Sequence, residues 1–129
     1  MTPEDRAAAR LEAEQARLAR AITEALYDEM PHLAEKYGER GRARCLEDMN
    51  FNLEHLRPAV QLARPEVFVS YVQWLDQLLR ARNVDTREVT RSLMLTERVI
   101  RAEFPADEAA AVVPSLHAAL RELQGAVQR

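Results

Sequence analysis

Apolar residues recur along the chain at intervals of three and four, and nowhere alternate with a period of two. That spacing predicts helices and no strands. Leu18, Ile22, Leu26 and Met30 step by four and define one helical face. Pro31 ends or kinks that helix, and Leu33 continues its apolar surface. Tyr37-Gly38, with Gly41 close behind, is a breaker. From Arg42 to Ala63, Leu46, Met49, Leu53, Leu56 and Val60 step by three, four, three and four, an amphipathic stripe. Pro58 inside it removes one backbone hydrogen bond and predicts a kink.

Pro65 suits the first turn of the next helix. Val67, Phe68, Tyr71, Val72, Leu75, Leu78 and Leu79 follow, the most apolar stretch of the chain and the candidate central helix. Asn83 fits a left-handed cap, and Asp85 or Thr86 caps the helix after it, with Glu88 supplying first-turn negative charge. Val89, Leu93, Val99, Ile100 and Phe104 form its face before Pro105 breaks it. The last helix spans about Asp107 to Val127 through Val112, Val113, Leu116, Leu120 and Leu123, with Pro114 inside. Residues 4 to about 20, rich in Ala, Arg and Glu, predict an N-terminal helix whose weak stripe, Leu11 and Leu18, is only partly packed on the body or packs on a second chain. The sum is six helices with short connections, no linker and no repeat. Proline and glycine breaks recur too often for a heptad coiled coil.

The 129 residues suit a single domain. Eighteen basic against 21 acidic residues, interspersed, argue against a basic nucleic-acid-binding face. No apolar run approaches the roughly 20 residues that span a bilayer, and the first ten residues lack a signal peptide's apolar centre. The one cysteine, Cys45, has no internal disulfide partner, which makes a reducing cytoplasmic setting the expectation.

Cys45, Asp48, Asn52 and His55 step by three, four and three beside the apolar stripe of their helix, with Arg40, Arg42 and Arg44 at its start. A carboxylate flanked by guanidiniums suits a ligand that carries both N–H groups and carboxylate tails, and a thiolate can add a covalent link. The same line is also an ordinary polar flank with a small core cysteine. Tyr71 and Trp74 are core residues or the walls of a planar-ligand pocket. Catalysis has little support. Cys45 and His55 lie ten residues, or ~15 Å, apart along one helix, too far for an activated pair, and no phosphate loop, serine elbow or zinc pattern is present.

The segment Arg42 to Gln61, RARCLEDMNFNLEHLRPAVQ, resembles the chromophore-bearing helix of phycobiliproteins. In that likeness Cys45 matches the bilin-attachment cysteine, Asp48 the aspartate that holds the central pyrrole nitrogens, and Leu46, Met49 and Leu53 apolar positions. Glu47 stands where that family usually has arginine, so Arg40, Arg42 or Arg44 takes the propionate role. The likeness extends over about residues 20 to 124 and lacks the family's two N-terminal assembly helices. In this the chain is more similar to the small phycobiliprotein-related globins of non-photosynthetic bacteria associated with bilin biosynthesis. The resemblance implies an all-α, six-helix globin-like fold. It implies a non-enzymatic function: binding, carrying or sensing a linear tetrapyrrole, with Cys45, Asp48, Arg40, Arg42, Arg44, Asn52, Tyr71 and Trp74 at the site. It also implies a homodimer, with bilin-biosynthesis enzymes as partners. The helix after Pro65 has no histidine, so haem held by a globin's usual proximal ligand is not expected. The rival expectation is a ligand-free sensory or interaction module.

Overall fold

The computed structural model describes residues 1–128. It contains helices α1 (Pro3–Ala13), α2 (Gln15–Glu29), α3 (His32–Gln61), α4 (Pro65–Ala81), α5 (Thr86–Glu103) and α6 (Ala106–Gln128), with no strand among the described residues. The all-α class follows directly from the three-and-four spacing. No described helix is long and apolar enough to cross a membrane.

The boundaries fall where local chemistry changes. Thr2 and Asp5 form a reciprocal capping box. The Asp5 N–H donates to Thr2 Oγ1 at 3.0 Å and the Thr2 N–H to Asp5 Oδ2 at 3.3 Å. Asn83 takes the expected left-handed conformation, φ 65°. Asp85 caps α5 by accepting the Arg87 N–H at 2.8 Å. Gly38 breaks α3 internally, with φ 66° and ψ −169°, a conformation that costs a side-chain-bearing residue. Pro58 and Pro114 sit inside α3 and α6, and Gly38 is the one residue of α3 with non-helical dihedrals.

The N-terminal segment departs from expectation. The boundary expected near residue 20 lies at Glu14, whose φ of −109° and ψ of 11° leave the helical region, so that residues 15–20 open α2. The segment's stripe is fully packed: Leu11 is 1% exposed and Leu18 0%. The alanines explain this. Ala7 and Ala8 are also buried, and their small side chains let α1 lie close against α3 and α6, as the buried Ala19 does for α2. Arg10 Nε then donates to Glu108 Oε1 at 2.7 Å, and Arg6 pairs with Asp107, clamping α1 to the first turn of α6. The stripe that suggested a second chain is covered by the chain's own core.

Helix α3 packs on α1, α2, α4 and α6, and α5 packs on α2, α4 and α6. Two diagonals of this arrangement stay open among the described residues, because α3 and α5 do not pack on each other and neither do α2 and α4. Buried polar contacts fix the surrounding helices. Thr86 Oγ1 donates to Asp76 Oδ1 at 2.7 Å, joining α5 to α4, and Tyr37 Oη donates to Glu88 Oε2 at 2.8 Å across the open α3–α5 diagonal. Gly41 has a packing role here: a Cβ on it would overlap the Tyr37 Cβ.

Leu18→Ala should lower the unfolding free energy by about 2–5 kcal/mol, the usual cost of emptying a leucine site in a core. Urea denaturation of the purified chain measures it. A loss below roughly 0.5 kcal/mol, typical of a surface change, would mean that α2 does not belong to the core.

Candidate ligand site

The open diagonals enclose a cavity of about 370 Å³ between α2, α3, α4 and α5. Leu26, Leu33, Met49, Leu75, Leu79 and Val89 form its apolar lining. From α3 come Arg40, Arg44, Cys45, Asp48 and Asn52, because steps of three and four keep these residues on one helical side. Five of the eight residues expected from sequence therefore share one space.

The other three go elsewhere. Arg42 is exposed, and its guanidinium lies over the Tyr27 ring at 4.8 Å from the centroid, outside the cavity lining. Tyr71 and Trp74 line a second, outer groove of about 710 Å³ with Phe51, His55, Ser70 and Leu78. Tyr71 is also structural, since its buried hydroxyl donates to Asn52 Oδ1 at 2.7 Å and ties α4 to α3. Trp74 is not core, being 57% exposed.

Tyr27, Tyr37, Arg82 and Glu88, none of them among the eight expected site residues, also line the inner cavity. Glu88 has the form of a first-turn capping charge, yet it accepts from Tyr37 and from Lys36 Nζ at 3.2 Å and closes one end of the space. Arg82 caps the far end of α4 and reaches the site only through the packing of α4 on α3.

The electrostatics of the lining are unbalanced locally. Most other arginines are paired, as Arg91 is with Glu29 at 2.6 Å. Arg40, Arg44 and Arg82 close no ion pair or side-chain hydrogen bond among the described residues. Asp48, half-buried between Arg44 and Arg82, accepts no hydrogen bond either. Burial pushes its carboxyl above the usual range, against the pull of Arg82. Burial also pushes the Cys45 thiol up to about 11, and the Asp48 charge adds to the effect. At pH 7 Cys45 is therefore held as the neutral thiol, which makes it a weak nucleophile. The arrangement can accept N–H donors at Asp48, pair anions at three guanidiniums and cover a flat apolar body. No group of three or more His, Cys, Asp or Glu side chains gathers to hold a metal among the described residues.

No protein-family model matches this chain, and no curated protein matches it in sequence.

Alkylation of Cys45 by iodoacetamide should follow a titration with a midpoint near 11. Asp48→Asn should move that midpoint down, because a neighbouring negative charge is removed. A rate profile centred near 8.5, the ordinary value for cysteine, would overturn the account of the site's burial.

Proposed function

We propose that the chain is a non-enzymatic, globin-like protein of phycobiliprotein type that binds a linear tetrapyrrole reversibly, for transport or sensing. One observation carries this reading. An apolar cavity holds a carboxylate without a hydrogen-bond donor, near the Arg44 and Arg82 guanidiniums and with Arg40 in the same lining. A linear tetrapyrrole supplies the complement: pyrrole N–H donors for Asp48, two carboxylates for Arg40, Arg44 or Arg82, and a flat conjugated body for Leu33, Met49, Leu75 and Leu79. The agreement of Cys45, Asp48, Leu46, Met49 and Leu53 with the chromophore-helix pattern supports it from the sequence side. The un-ionised Cys45 favours non-covalent holding. Haem is not part of this reading, since α4 carries no histidine.

A second reading, a ligand-free interaction module, has its own support. Phe51 and Trp74, 53% and 57% exposed, place large apolar groups at one surface. Under that reading the protein purifies colourless from a bilin-producing host and no tetrapyrrole alters its spectrum.

Titration with biliverdin, followed by visible absorption, tests the proposal. A saturable, shifted band is expected, and acid-urea denaturation should release the pigment. Asp48→Asn should weaken binding by roughly ten- to a hundredfold, the worth of hydrogen bonds to a charged acceptor. The same substitution should raise the Tm of the ligand-free protein at pH 7. Asp48 titrates higher in the folded chain than in the unfolded one, so its ionised form opposes folding above that range and removing the charge relieves the opposition. Unchanged affinity in the variant would remove Asp48 as the clamp, and a lowered Tm would remove the strain assigned to it.

A further inference from the structure

The inner cavity and the outer groove have a common wall. Arg44, Asp48, Leu75 and Arg82 line both. The inner space of about 370 Å³ lies at the small end for an organic ligand, and the outer groove adds about 710 Å³ beside it.

The outer groove is lined by a tier of aromatic rings. Phe68 is fully buried, and Tyr71 stacks on it with centroids 5.9 Å apart and planes at 28°. His55 stacks on Tyr71 at 4.0 Å and 10°. Trp74 leans on Tyr71 at 6.0 Å and 40°. The tier therefore runs from the core outward and ends at two rings in water, the indole of Trp74 and the imidazole of His55. The His55 ring is held in place: Nδ1 lies 2.8 Å from the Phe51 carbonyl oxygen, which can only accept, so Nδ1 carries the proton. A rigid ring with a free face is a stacking platform. Arg44 and Arg82, unpaired, supply positive charge where the platform meets the inner cavity, with the Glu47 and Asp48 carboxylates in the same lining.

We propose that the outer groove is the second half of one elongated site. The ligand passes from the inner cavity between α3 and α4, beside Asp48 and Leu75, and stacks its outer end on Trp74 and His55. This rests on the tetrapyrrole reading above and narrows it. The ligand is a chain of several conjugated rings with N–H donors at its middle and anionic groups near Arg44 and Arg82. A compact two-ring molecule would fill the inner cavity alone. Trp74 is then a determinant of ligand length, not a packing residue.

Trp74 is the chain's one tryptophan, so its indole N–H gives a single cross-peak in a ¹H–¹⁵N spectrum. Biliverdin and a two-ring dipyrrole carboxylate are titrated in parallel, with absorption reporting the inner cavity and the indole peak reporting the outer groove. The expected result is an indole shift with biliverdin and none with the dipyrrole. Trp74→Ala should weaken biliverdin roughly tenfold, leave the dipyrrole unchanged, and be rescued largely by Trp74→Phe, as the loss and return of one stacking face predict. If biliverdin gives an Asp48-dependent band while the indole peak stays fixed and Trp74→Ala binds normally, the elongated site is wrong and the tetrapyrrole reading stands. If biliverdin gives no band at all, the tetrapyrrole reading fails and this inference fails with it.

Discussion

Helix α3 has neighbours on four sides, and the neighbour it lacks, α5, makes the site. Its apolar stripe is used up by α1, α2, α4 and α6, which bury Leu53, Leu56, Ala59 and Val60 to 1% exposure or less. The polar edge beside that stripe faces the opening. Residues at steps of three and four on a helix share a side, so Cys45, Asp48 and Asn52 arrive in the same space without any loop to carry them. The break at Gly38 sets the limit of this line. It turns the first turns of α3 so that Tyr37 can reach Glu88 on α5 and close the end that helix packing leaves open.

The chain's charges divide into two populations. Glu108, buried, is held by Arg10 and Arg6, and Asp76, also buried, accepts from Thr86 with Arg80 at 3.4 Å. These carboxylates meet the condition for burial, a partner for each oxygen. Asp48 does not: its environment disfavours its charge while the guanidiniums near it stop short of contact. A group left in that state costs folding free energy, and sites built for ligands are where such costs collect. Asn52 lines the same cavity and shows the contrast, because its side-chain oxygen is occupied by Tyr71 and has no need of a ligand.

Much of the fold was legible because apolar spacing and breakers agree. Pro31, Gly38, Pro65, Asn83 and Pro105 all fall at or beside the breaks they predict. The division at Glu14 was not legible, since glutamate, alanine and arginine around it are good helix formers and the break comes from packing α1 against α3 and α6. Alanine also belongs to the core, though apolar spacing of large residues does not mark it: Ala7, Ala19, Ala59 and Ala119 are all fully buried, as close helix approach requires. Half of the site could be read along α3, where periodicity places Cys45 with Asp48. The other half comes from Tyr27, Arg82 and Glu88, which join only through tertiary packing, and no local spacing marks them. Arg42 shows the limit of reading charge by proximity. It lies three residues from Cys45, yet the helix turns it onto Tyr27.

The packing that creates the cavity also decides what Cys45 can do in it. A cysteine becomes reactive beside cations or at a helix start, where the thiolate is stabilised. Cys45 sits in mid-helix with desolvation and the Asp48 carboxylate both acting against ionisation, and together they outweigh the opposing pull of the Arg42 charge. Reactivity at Cys45 and an ionised Asp48 are thus opposed: burial does most to hold the thiol neutral, and the Asp48 charge adds to it. A ligand that satisfied Asp48 would weaken that opposition from within the bound complex. Any covalent step would therefore follow binding, and affinity has to come first from the carboxylate, the guanidiniums and the apolar walls.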